Sequence, residues 1–91
     1  MKTLLHKRFV KVLQSFMDEE NITVETTAWL LGVTTPTIYG WMKGKWLPQR
    51  RSAMKLAYYS DSFETFFKRE GGVDTALERL DTQRRRVSKA A

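Results

Sequence analysis

Cysteine is absent from the 91 residues, which excludes disulfides, thiolate chemistry and cysteine-based zinc sites together. There is one histidine, His6, and it lies among basic neighbours where a solvated imidazole is expected. No pair of carboxylates falls where a cleft could form between them; Asp18-Glu19-Glu20 is a charge run at a helix end. No glycine-rich phosphate loop is present. These absences leave no catalytic apparatus, so no enzyme, cofactor or metal is expected. No apolar run approaches a membrane span, and the basic N-terminal residues precede no stretch suited to a signal peptide, so the expected location is cytoplasmic. Nowhere does the sequence alternate with period two for long enough to make a strand.

The remainder is ordinary for a folded chain, with 42% hydrophobic and 12% aromatic residues, and the length suits one modest core. Net charge is +6, a balance that favours polyanions. Residues 1–60 hold nine Lys/Arg against four acids, and residues 61–91 seven against six. The excess of positive charge therefore sits in the first two thirds.

Helical spacing of Leu5, Phe9, Val12, Leu13, Phe16 and Met17 predicts an amphipathic first helix over roughly residues 3–20, which Asn21 helps to break. Thr23 is placed to cap a second helix, with Glu25 in its first turn. A turn at Leu31-Gly32-Val33 leads to a third helix, capped by Thr34 or Thr35 and tolerant of Pro36 in its first turn. This helix ends at Gly44. A fourth follows over about 49–59. A fifth, holding Phe63, Phe66 and Phe67, starts in Ser60-Asp61-Ser62. After Gly71-Gly72 a last helix runs to about residue 88. The class is all-α, about five bundle helices with one added at the C-terminus.

The stretch TVETTAWLLGVTTPTIYGW, residues 23–41, carries the functional argument. Small Ala28, then Gly32 at the turn, Val33, Ile38 and Trp41 form the pattern of a helix-turn-helix, in which the second helix enters a major groove. From Phe16 to Ala57 the chain resembles the lambda-repressor-like, Cro or XRE-type family. Trp41-Met42-Lys43-Gly44-Lys45 with Pro48 is similar to that family's W-E-x-G-K…P segment, and Lys55-Leu56-Ala57 to its k-L-A. The chain departs from the family at Val24, where glutamine usually reaches a phosphate, at Thr27 in place of leucine, and at Met42 in place of glutamate.

The resemblance implies a sequence-specific regulator of transcription, most simply an operator-binding repressor of a phage or mobile element in prokaryotic cytosol or nucleoid. Its partner would be double-stranded DNA. Base reading falls to Thr35, Pro36, Thr37, Tyr39, Gly40 and Lys43. That face has no Arg, Gln or Asn for bidentate base contacts, which points to thymine methyls and DNA shape. Phosphate contacts are assigned to Thr23, Lys45, Trp46, Gln49, Arg50 and Arg51. Trp46 has a second use open to it, as a wedge against the first helix.

Residues 1–60 would be the DNA-binding domain and residues 61–91 an extension. Phe63, Phe66, Phe67, Leu77 and Leu80 are expected to form a homodimer contact on a two-fold site, or else to lie under the chain's own last helix. Arg84, Arg85, Arg86 and Lys89 either complement that helix's dipole or form a basic arm. Two alternatives stay open: a tetrameric phage-type activator, and the antitoxin of a toxin–antitoxin pair whose C-terminal extension grips a partner protein.

Overall fold

The computed structural model describes residues 3–90, and side chains as far as Gln83. It is all-α among the described residues: α1 (Leu4–Glu20), α2 (Val24–Leu31), α3 (Thr35–Lys43), α4 (Arg50–Tyr59), α5 (Asp61–Arg69) and α6 (Val73–Ala90). No helix among them is long and apolar enough to cross a membrane.

Short polar residues cap the starts of α1, α2 and α5, and left-handed residues end α1, α2 and α3. The Thr3 hydroxyl accepts from the His6 amide at 3.1 Å, and that of Thr23 accepts from the Thr26 amide at 3.1 Å. Ser60 closes α4 and opens α5, its Oγ accepting from the Phe63 amide at 3.2 Å. Each such bond satisfies a donor that the first turn of a helix leaves free. Asn21 ends α1 with φ 53°, Gly32 ends α2 with φ 70° and Gly44 ends α3 with φ 76°, the left-handed cap that lets following amides reach back to the helix. On the surface of α5 the Lys68 ammonium donates to Glu64 at 2.8 Å, and that bond holds the Lys68 pKa above its ordinary value.

One core joins all six helices. Leu5, Phe9, Leu13, Phe16 and Met17 of α1 meet Ala28 and Leu31 of α2, Ile38 and Trp41 of α3, and Ala53 and Leu56 of α4. Phe63, Phe66 and Phe67 complete it, with Ala76 and Leu80 of α6. Phe9 is the hub of the aromatic half, its ring 5.6 Å from Phe63 and 6.2 Å from Phe66.

The expected dimer contact is thereby corrected. Phe63, Phe66 and Phe67 are no more than 8% exposed, Leu80 is buried and Leu77 is half-buried against the core. Three phenylalanines exceed what one side of a short helix needs, but α5 has neighbours on several sides: it packs on α1, α4 and α6. The side chains of Arg84, Arg85, Arg86 and Lys89 lie outside the described residues.

Candidate nucleic-acid interface

The turn between α2 and α3 is set by Gly32 and by the Val33 amide, which donates to the Ala28 carbonyl oxygen at 2.9 Å. Lys55 of α4 reaches the same turn, its Nζ 3.5 Å from the Leu31 carbonyl oxygen. A cation there suits the negative end of the α2 dipole. Nothing in the local sequence marks Lys55 for this place, because the turn it serves lies more than twenty residues earlier.

α3 is anchored by Ile38 and Trp41, both essentially inaccessible. That orientation turns Pro36, Tyr39 and Lys43 outward on one stripe, at i, i+3 and i+7. Thr35 and Thr37 flank it half-buried. Tyr39 is 44% exposed. Five of the six expected base-reading residues therefore share an accessible surface.

Gly40 does not. It is buried beneath the indole of Trp46, and a Cβ built on it would overlap Cε2, Nε1 and Cζ2 of that ring. The Trp46 Nε1–H donates to the Thr37 carbonyl oxygen at 3.2 Å. The wedge expected against the first helix is instead a plate against α3, possible because Gly40 lacks a side chain.

The tie from the first helix comes from His6, which is buried and not solvated as expected. Its Nε2 lies 2.7 Å from the Trp41 carbonyl oxygen near the end of α3, so Nε2 carries the hydrogen. Nδ1 is buried and has no hydrogen-bond partner among the described residues. A sequence signal existed: His6 stands between Leu5 and Phe9 on the apolar stripe of α1.

Two helix N-termini open onto one groove of about 450 Å³ between α3 and α4, lined in part by Thr34, Thr37, Trp46, Gln49 and Ser52. Neither is closed by a side chain. The Thr34 hydroxyl pairs with that of Thr37 at 2.8 Å, and Gln49 makes no capping bond to α4. Free amides at a helix start form an anion site. Ser52 is only 5% exposed and lines this groove, with no side-chain hydrogen bond among the described residues. It adds a hydroxyl that sequence reading missed.

The expected phosphate ligands divide. Gln49, Arg51 and Lys45 are exposed around the groove's helices, and Lys43 and Arg51 make no ion pair among the described residues. Arg50 is committed, its Nε 2.9 Å from Oδ1 of Asp74 on α6. The Thr23 hydroxyl is used locally, accepting from the Thr26 amide and donating to Thr26 Oγ1 at 3.2 Å. Among the described residues no cluster of His, Asp or Glu could hold a metal ion. Compared with models of protein families, with curated protein sequences and with solved structures, the chain matches none.

Proposed function

We propose that the chain is a sequence-specific DNA-binding regulator with a helix-turn-helix bundle of lambda-repressor type, acting as an operator-binding repressor of a phage or mobile element. The observation that carries this reading is the outward stripe of Pro36, Tyr39 and Lys43 on α3, held by Ile38 and Trp41 behind it. In this reading α3 lies in the major groove. The methyls of Thr35 and Thr37 pack on thymine methyls, and the Tyr39 hydroxyl bonds a base edge.

Beside it, the groove between α3 and α4 receives the sugar-phosphate backbone. Amides at both helix starts and the Ser52 hydroxyl donate to phosphate oxygens, with Lys43, Lys45 and Arg51 supplying charge. Net charge of +6 supports the same partner. The antitoxin alternative assigns the grip on a partner to residues 61–91 as a whole; of these, Phe63, Phe66 and Phe67 are inside the core and offer a partner nothing.

Selection of duplexes from a randomised pool by the purified chain tests the proposal. Enrichment of thymine-containing half-sites is expected. Equal retention of all duplexes at low ionic strength, or none, would overturn it.

A further inference from the structure

A second groove, of about 400 Å³, lies between α1 and α5, and its lining shares no residue with the groove between α3 and α4. Arg8, Lys11 and Arg69 stand around it, over a floor that includes Val12 and Phe66. None of the three cations is ion-paired among the described residues. The one carboxylate on the rim, Glu70, is already engaged by Arg79 at 3.3 Å. The groove is therefore a concentration of positive charge whose three cations have no ion-pair partner among the described residues.

The missing counter-charge is on the same helix. Asp18, Glu19 and Glu20 form the exposed last turn of α1, likewise without an ion pair among the described residues. Acids at a helix C-terminus and cations in its first half both oppose the helix dipole, so this arrangement costs α1 stability when it stands alone. Within one chain the two ends cannot meet, because Arg8 and Glu19 are separated by roughly 16 Å of rise.

Two copies solve the problem. We infer that a second copy of this chain docks on this groove, α1 antiparallel to α1, with each copy's Asp18 and Glu19 set against the other's Arg8, Lys11 and Arg69. Leu4, Arg8, Lys11, Ser15 and Asp18 follow one another at spacings of four and three, which places them on one face of α1. Pairing centred at the level of Leu13 puts Arg8 opposite Asp18 twice, as a two-fold interface requires. It also sets Leu4, 66% exposed in the single chain, against the C-terminal end of the other copy's α1. Antiparallel packing further opposes the two helix dipoles. The contact stands independently of the DNA-binding reading.

Sedimentation velocity on the full chain, without DNA, tests it. The wild type is expected to be a dimer at about 0.05 M salt and to dissociate by about 0.5 M, where charge pairs are screened. Arg8→Glu with Lys11→Glu, and separately Asp18→Lys with Glu19→Lys, should each give a monomer with unchanged far-ultraviolet circular dichroism. An equimolar mixture of the two variants should recover the dimer, because in the mixed pair one contact is the wild-type charge pair and the other reappears with its signs exchanged. If either double variant unfolds, Arg8→Glu and Asp18→Lys alone should show the same loss and recovery. A wild type that stays monomeric, a dimer that survives either reversal, or a mixture that stays monomeric overturns the inference. Capture of a polyglutamate peptide by a monomeric wild type would also overturn it, because the groove would then serve an acidic partner protein.

Discussion

The imidazole of His6 is joined to the backbone of Trp41 across 35 residues of sequence by a hydrogen bond of 2.7 Å. It fixes the end of α3 to the start of α1, so the outward stripe of α3 is oriented from both of its neighbours. Replacing His6 by alanine removes a buried donor and opens space beside Gly44, whose position a Cβ would bring to 3.3 Å from the ring. A loss of about 2 kcal/mol is expected, or roughly 10 °C in Tm for a domain of this size. Glutamine, whose amide Nε2 can donate from a similar reach, should restore part of it, and asparagine should not. Thermal melts of the three variants decide. Equal Tm values for Gln and Asn would remove the hydrogen bond from the explanation.

Gly40 is the second hinge of the site. An alanine there raises helix propensity by about 1 kcal/mol, yet its methyl would occupy the space of the Trp46 ring. The ring must leave, and the bond from Nε1 to the Thr37 carbonyl goes with it. Gly40→Ala is therefore expected to shift Trp46 emission to the red and to weaken duplex binding several-fold while leaving Tm nearly unchanged. Trp29 is best replaced by phenylalanine for this measurement, since it is 79% exposed and would mask the shift. An unchanged spectrum would mean that the indole has room to slide.

Burial of Phe66 decides what its removal does. Phe66→Ala should cost about 3–5 kcal/mol, and Phe66→Glu, which puts a carboxylate beside Phe9 and Phe67, should leave the chain unfolded. Circular dichroism and sedimentation together read the result. A folded Phe66→Glu monomer would return this residue to an interface.

The local grammar of the fold was readable in advance, and the long-range contacts of the site were not. Asn21, Gly32 and Gly44 stop helices, and Thr23 starts one, through rules that need only a few neighbouring residues. Local sequence puts Gly40 on the outward face because its partner, Trp46, comes after the helix has ended. A glycine inside a helix costs stability, and that cost was the available clue to a close approach. The charged neighbours of His6 point to a solvated ring, whereas the apolar stripe through Leu5 and Phe9 runs beside it. Ser52 carries no pattern of its own, and the Lys55-Leu56-Ala57 run gives no sign of the turn that Lys55 serves. Their roles arise only once α4 lies against the turn and against the start of α3.

The pairing of Arg50 with Asp74 divides two adjacent arginines into different classes. Arg51 has no ion pair among the described residues, so Arg51→Ala should lower affinity for all duplexes and reduce the salt slope by about one. Arg50 must first leave its carboxylate, an exposed pair worth at most about 1 kcal/mol. Asp74→Asn should therefore raise duplex affinity a few-fold by freeing Arg50 and removing a negative charge. Titrations across a range of salt concentrations measure both effects. A fall in affinity for Asp74→Asn would show that the pair holds α6 in place for binding.

Readout through methyl groups makes the sharpest demand on the proposed interface. Thr35 and Thr37 present one methyl and one hydroxyl each, and the Thr37 hydroxyl is already bonded to Thr34. The Thr37 methyl is then what remains for base recognition, whereas Thr35 keeps both groups. Deoxyuridine in place of thymine at a contacted position removes the matching methyl and leaves pairing and groove hydrogen bonds intact. Burial of one methyl is worth about 0.8 kcal/mol, so each substitution should weaken binding roughly fourfold. Thr37→Ser should weaken thymine duplexes by a similar factor and leave the affinity for the matching deoxyuridine duplex unchanged, since the two changes remove opposite sides of one contact. Additive losses would mean that the two methyls never touch. Equal affinity for thymine and deoxyuridine throughout would leave DNA shape as the source of any sequence preference, because α3 offers no Arg, Gln or Asn to take over the reading.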